Sequence, residues 1–309
     1  MPKNKNQQHI KTSIGGQALI EGVMMRGPKV TAMAVRLPNQ TISMEEWASP
    51  KNKQWYKKTP FIRGIFNFID SMKEGYTCLM KSAEKAGLEE EEPSAFEKRL
   101  QEKLGEKYNT VFQIFVFSFS ILLAVGLFVF LPTLLVKGLQ GIIPNSLALT
   151  VIEGLAKIGL FCLYLFFISK MGDIYRMFQY HGAEHKTIFC YESGQELTVE
   201  NVRRHSRFHP RCGTSFLVIV LILSIIVLSF ISWESIWMRM GLKLLCLPII
   251  MSLSYECIKF AGRHDNLFTK ILSAPGLWIQ RLTTKEPDDE MIEIAIAAMK
   301  AVIPDEAQR

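Results

Sequence analysis

Two histidine pairs stand out in a chain with only six histidines: His181 with His185, and His205 with His209. On a helix, the i, i+4 spacing brings side chains to one face with Cβ atoms ~5–6 Å apart, so each pair can offer two imidazoles to one ion. Thr198 and Asn201, ahead of Val202 to Arg207, predict a short helix beneath the second pair, ended by Pro210. Cys212 follows closely, and Glu184 lies inside the first pair. Imidazole and thiolate suit zinc best, while imidazole with carboxylate also admits iron or manganese. The expected ligands of a divalent metal, zinc first, are therefore His181, His185, His205, His209 and Cys212. One zinc needs fewer donors than this, so either some of these residues support the ligands or two ions bind.

Glu184 has a different expected role. One residue from His185 and three from His181, it would sit beside the metal without ligating it, placed to take a proton from metal-bound water. Such a base is worth ~10²–10⁴-fold in rate. His181-Gly-Ala-Glu184-His185 also matches the His-x-x-Glu-His pattern of inverted zincins. Those enzymes take a third ligand from a later helix, and Glu256 qualifies by location alone. A purely structural metal, or histidines that only bond phosphate and backbone, are the competing readings.

Other residues join the candidate list. Glu21 and Arg26 lie in a glycine-flanked segment that can line a site or simply form part of a small sheet. His264-Asp265-Asn266 can orient a metal ligand but reads better as a helix cap. Glu153 with Lys157, and Arg239 with Lys243, place charges four residues apart in apolar stretches. Charge inside a bilayer must be paired or face water. An ion pair locking two helices together is the expectation, with a transport path as the sharper alternative.

The elements that position these residues are read from the apolar blocks. Val111 to Val136 is 26 residues without a charge, and Thr214 to Ser232 is 19 more. Each exceeds the ~18 residues of a spanning helix. Leu147 to Ser169 and Ile236 to Tyr255 are further spans despite their charges. Hydrophobic residues make up 49% of the chain and charged residues 21%, too apolar for a soluble or a disordered protein, yet the net charge is +7. Lys and Arg number 18 in residues 1–110, seven in 170–213 and seven in 256–309. With four spans these basic segments share one side, which identifies it as cytosolic. Topology thus accounts for the basicity, and no nucleic-acid partner is needed.

The first thirteen residues, a polar tail, show no signal-peptide core. Residues 14–45 alternate β-prone runs with Gly27-Pro28 and Pro38-Asn39 turns. Phe61 to Met80 has a broad apolar helical face suited to the membrane interface or to packing on the spans. An acidic run, Glu89 to Glu92, and an amphipathic stretch to Tyr108 lead into the first span. Pro287-Asp288-Asp289 starts a C-terminal amphipathic helix over Glu290 to Ala301. Six cysteines without a CxxC fit a reducing compartment, and no disulfide is expected. The chain is thus a mainly α polytopic membrane protein with four transmembrane helices and a small cytosolic β-containing region. Its expected parts are a tail (1–13), a β-rich region (14–60), amphipathic helices (61–110), spans at 111–136 and 147–169, a histidine-rich loop (170–213), spans at 214–232 and 236–255, and a cytosolic C-terminal region (256–309).

Four long motifs carry a family resemblance: Gly15-Gly-Gln-Ala-Leu-Ile-Glu-Gly-Val-Met-Met-Arg-Gly-Pro28, Tyr180-His-Gly-Ala-Glu-His-Lys186, Phe208-His-Pro-Arg-Cys-Gly-Thr214, and Ala274-Pro-Gly-Leu-Trp-Ile-Gln-Arg-Leu-Thr-Thr-Lys-Glu-Pro287. The chain resembles the YqhQ family of bacterial multi-pass membrane proteins, regarded as metal-dependent enzymes of unassigned reaction. The resemblance implies a metal site on His181, Glu184, His185, His205, His209 and Cys212, with Glu21 and Arg26 nearby, in the bacterial cell (inner) membrane. The leading expectation is a hydrolase at the cytosolic membrane face, acting on a lipid, a lipid-linked precursor or a membrane peptide. A scaffold whose structural metal helps it bind partner membrane proteins is the second reading. A diiron desaturase or hydroxylase is the third, though that class needs about eight histidines, and a transporter is the fourth.

Overall fold

In a computed structural model, the structure describes residues 12–50, 54–87, 99, 102–231, 233, 235–264 and 266–304. His9, the acidic run at 89–92 and Asp265 lie outside these residues. The chain divides into two compact units. One comprises Met1–Leu88, Leu163–Val220 and Met251–Arg309; the other comprises Glu89–Cys162 and Leu221–Ile250.

The first unit is built on a four-stranded antiparallel meander in the order β1 (Gly15–Leu19), β2 (Gly22–Arg26), β3 (Val30–Arg36) and β4 (Ile42–Ala48). Side chains alternate across a strand, and here both faces are covered. Val23, Met25, Ala32 and Ala34 join one core with α5 (Gly172–Glu192) and α10 (Asp289–Val302). Leu19, Met24, Met33 and Val35 face α1 (Arg63–Lys85) through Cys78 and Leu79. Burial on both faces explains why β2 and β3 read as unbroken apolar runs rather than as alternation. The expected C-terminal helix is present: Asp288 caps α10 by accepting from the Met291 N–H at 2.8 Å. Far from lying on a surface, α10 fills the core with residues such as Ile292, Ile294 and Met299.

Ile20 and Glu21 form the tight β1–β2 turn, whose end residues Leu19 and Gly22 pair directly. Glu21 takes a left-handed φ of 49°. Its carboxylate receives both Nε and Nη2 of Arg176 at 2.6 Å and the Tyr180 hydroxyl at 3.1 Å. The Arg176 hydrogen bonds hold the Glu21 carboxyl below its ordinary value of 4.5, against the opposing effect of burial. A depressed carboxyl contributes stability above the unfolded-state pKa and loses it as the pH falls through the folded value. Unfolding measured across the acid range should therefore show stability declining below pH 4.5. Glu21→Gln should be less stable than wild type at neutral pH, with the gap closing under acid; a gap constant with pH would assign the turn to other forces.

The second unit is made of apolar helices, three of which run past its bounds in the chain. Tyr108–Val125 (α2) continues through a π-helical turn, Gly126–Phe130, into Leu131–Lys137 (α3). Helix α4 covers Ser146–Ile168, α7 Gly213–Leu228 and α8 Ile236–Arg263. Among the described residues, three helices are long and apolar enough to cross a membrane: Thr110–Lys137, Ser146–Ile168 and Ile236–Ala261. The expected span at 214–232 forms only the 16-residue α7. At 1.5 Å per residue this is roughly 24 Å, short of a ~30 Å hydrocarbon core.

The charges within this unit pair as expected between α4 and α8. Glu153, 1% exposed, faces Lys157 at 3.0 Å, Arg239 at 3.2 Å and Lys243. Thr133 donates to the same carboxylate at 3.0 Å. The Arg239 guanidinium also lies 3.9 Å from the Trp233 ring centroid and bonds Thr150 at 3.0 Å.

Candidate metal centre

The 170–213 segment is a helical platform rather than a loop. Helix α5 presents His181 and His185 on one face with ring centroids 4.4 Å apart. His181 Nδ1 lies 2.8 Å from the Thr283 carbonyl, and His185 Nδ1 lies 2.6 Å from the Arg207 carbonyl. A carbonyl only accepts, so both Nδ1 atoms carry the proton, and in the neutral ring Nε2 is then the atom with the lone pair. That is the arrangement in which histidines serve metals, with the second nitrogen held by a backbone acceptor. His181 Nε2 is 3.2 Å from Cys212 Sγ, and Thr214 donates toward that sulfur through its hydroxyl at 3.3 Å and its N–H at 3.5 Å. Donor atoms of His181, His185 and Cys212 all lie within 4.8 Å of one another. Tetrahedral zinc with bonds of ~2.0–2.3 Å holds its ligands roughly 3.3–3.6 Å apart, so a small contraction suits this set to the ion.

The other candidates divide between neighbours of this trio and residues elsewhere. His209 lies behind His185 with its ring tilted by 38° and the centroids 5.5 Å apart. Its Nδ1 accepts from the Arg211 N–H at 3.3 Å, and its Nε2 lies 4.0 Å from Glu192 Oε2. Burial, reinforced by His185, Arg211 and His181, pushes its pKa down to about 2, so the ring is neutral. Glu184 is buried beside the pair. Desolvation pushes its carboxyl up to about 7, against His181 and an N–H bond from Gly16. Gly16 can lie this close only because it lacks a side chain: a Cβ there would sit 2.9 Å from Glu184 Cγ and 2.7 Å from the Met24 carbonyl.

His205 does not join this group. The expected helix over 202–207 is instead Val199–Arg203 (α6), capped by Thr198. The chain leaves helical geometry before His205, so the i, i+4 spacing to His209 puts nothing on a shared face. His205 Nε2 meets Gln195 at 3.1 Å instead. Arg26 pairs with Glu74 at 3.2 Å, and Glu21 is occupied as described above. The glycine-flanked strand serves the site through Gly15 to Ala18, not through those charges. Glu256 is bound by Arg63 Nε at 2.7 Å, which removes it as a third ligand. His264 stacks on Phe260 at 4.3 Å, while Asn266 caps α9 (Leu267–Thr283), as the cap reading expected.

Sequence reasoning overlooked Gln280. Fully buried, it accepts from the His209 N–H and donates to the His209 carbonyl, each at 2.7 Å, and so clamps the 208–214 turn. A single amide between Ile279 and Leu282 in an apolar helix was the available signal. Arg211 braces the same turn by pairing with Glu192 and the Thr12 carbonyl.

These groups open into a cavity of about 830 Å³. His181, Glu184, His185, His209, Arg211 and Cys212 form one side. Phe68, Met72 and Tyr76 of α1, with Tyr255, Ile258 and Lys259 of α8, line another. All six cysteines are free thiols.

Comparison with known proteins places this arrangement in a lineage. No solved structure matches the chain significantly. A protein of Bacillus subtilis (strain 168) named "Uncharacterized protein YqhQ" is 34% identical over 306 residues, covering 98% of this chain and 96% of the relative. The family described as "Protein of unknown function (DUF1385)" matches residues 59–305, a span holding the trio, Glu184 and the Gln280 clamp. The chain belongs to that family, in which YqhQ is its relative.

Proposed function

We propose that this protein is a metal-dependent hydrolase whose site opens at the cytosolic face of the bacterial cell (inner) membrane. One observation carries the reading. Two imidazoles with their Nδ1–H groups tied to carbonyls aim bare nitrogens at a region shared with a thiol, beside a buried carboxyl and an open cavity. His181, His185 and Cys212 would hold the ion, zinc by ligand type, with iron or manganese as the alternatives. When bound, the metal supplies Lewis-acid polarisation and a more acidic water. Glu184 would be the residue to take a proton at the site, its carboxyl held in place by the Gly16 N–H. Three protein donors beside a cavity favour catalysis over a structural role, which asks for four. Two convergent imidazoles also fall far short of a diiron centre.

The membrane placement has its own support. Side chains such as Phe117, Leu122 and Leu245 are 68–71% exposed on the long helices, a surface suited to lipid rather than water. We take α7, extended by the apolar residues to Ile231, as a fourth and shorter span. All three basic segments then face the cytosol, together with both termini.

The test is Glu184→Gln. Detergent-purified variant and wild type are compared for metal content and for hydrolysis of a panel of nitrophenyl carboxylate and phosphate esters. The variant should keep its metal and lose about 10²–10⁴-fold in turnover. Equal turnover in both proteins would end the hydrolytic reading.

A further inference from the structure

Helix α1 is amphipathic in an inverted sense. Its buried residues are the small ones, Gly64, Gly75, Cys78 and Ser82. Five of its large apolar side chains are outside: Phe66 is 39% exposed, Ile69 41%, Met72 58%, Tyr76 59% and Met80 50%. Steps of three and four residues make these one continuous stripe. A helix solvated by water does the reverse, and small residues facing inward are the packing habit of helices within lipid.

The stripe has a fixed neighbour. Asn67 donates to the Tyr255 hydroxyl at 3.0 Å, Arg63 bonds Glu256 at 2.7 Å, and Gly64 lies against Tyr255 and Ser252. These partners belong to α8, whose Ile236–Ala261 stretch is one of the helices able to cross a membrane. Helix α1 therefore lies along the end of a helix long and apolar enough to cross a membrane. Met72 and Tyr76 belong both to the exposed stripe and to the cavity wall. The exposed apolar stripe thus continues into the wall of the cavity that holds His181, His185 and Cys212. Lys259 and Arg211, the latter also paired with Glu192, bring cationic side chains to the cavity wall.

We infer that the cavity takes an amphiphile with an anionic head and an acyl chain, admitted sideways from the cytosolic leaflet between α1 and the end of α8. The chain lies on Phe68, Met72 and Tyr76, and the head lies toward Arg211 and the histidines. This substrate class rests on the reading of the cavity as a metal-dependent site, but the contacts that select the chain are separate from the metal donors.

The experiment uses full-length protein in phosphatidylcholine nanodiscs doped with phosphatidic acid that carries a photoactivatable diazirine in its acyl chain. Labelling should fall on peptides containing residues 68–76 and 255–258. Unlabelled phosphatidic acid should compete at least about tenfold better than phosphatidylcholine, the effect of one charge-assisted hydrogen bond. Met72→Glu/Tyr76→Glu should abolish the labelling with metal content unchanged, and Met72→Ser/Tyr76→Ser should weaken it. Labelling indifferent to both double variants, or equal competition by the two lipids, would overturn the inference. Competition by an apolar helical peptide as strong as that by lipid would overturn it too, in favour of a peptide occupant. His181→Ala/Cys212→Ser separates the two claims: labelling that persists while wild type and variant alike lack metal sinks the metal reading and leaves the amphiphile port standing.

Discussion

Replacing His181 by Ala or Cys212 by Ser should remove most of the metal from the purified protein, while replacing His205 or His264 should remove none. The contrast is sharp because the sequence treats these histidines alike and the structure does not. His181, His185 and Cys212 bring donor atoms within 4.8 Å of one another, whereas His205 is bonded to Gln195 and His264 is stacked on Phe260. The groups behind the ligands have a graded effect. Thr214→Val removes a hydroxyl that lies 3.3 Å from Cys212 Sγ and should weaken binding by about 10–100-fold, the usual consequence of losing such support. Elemental analysis of the detergent-purified variants, followed by competition against a chromogenic chelator, measures both effects. Metal retained in His181→Ala, or lost equally in His205→Ala, would remove the trio as the centre.

The largest effect on stability should come from Glu153→Gln. Glu153 is the one carboxylate among Lys157, Arg239 and Lys243, all of them at most 7% exposed. Taking one member from a buried ion pair leaves an uncompensated charge and costs about 3–5 kcal/mol. Here three buried cations lose their shared partner at once. Thermal unfolding in detergent should show a large drop in midpoint for Glu153→Gln. Lys157→Met should drop it much less, because Glu153 keeps two cations. The triple change Glu153→Gln/Arg239→Met/Lys243→Met should recover part of the loss, since only Lys157 then remains as a buried cation without the Glu153 carboxylate. A Glu153→Gln protein as stable as wild type would show that the cluster does not hold α4 against α8.

Much of this arrangement was legible because it depends on local spacing. The β2–β3 and β3–β4 turns, the Asp288 cap, the Asn266 cap and the long apolar helices all follow from residues near one another in the chain. The pairing of Glu153 with Arg239 and Lys243 was also readable, because buried charge within apolar helices has few partners to choose from. The same local logic failed at His205 and His209. Their spacing is helical, but Pro210 and the early end of α6 at Arg203 take the backbone elsewhere. Helix α7 fell short of its apolar run for a related reason: apolar composition extends past Leu228, yet the helix does not.

By itself, the sequence determined that this is a basic, apolar, helix-rich chain with a small sheet ahead of its helices, and that its candidate metal donors gather in the 181–185 and 205–212 segments. It could not choose among six nearby donors. That choice is made by long-range contacts: the Thr283 and Arg207 carbonyls set the tautomers of His181 and His185, Gly16 reaches Glu184 from a strand far away in the chain, and Gln280 clamps the turn that delivers Cys212. Side-chain type and spacing state which atoms can bind a metal. Only the tertiary structure decides which lone pairs are left free and which are already taken by hydrogen bonds, because those bonds join residues that share no local pattern.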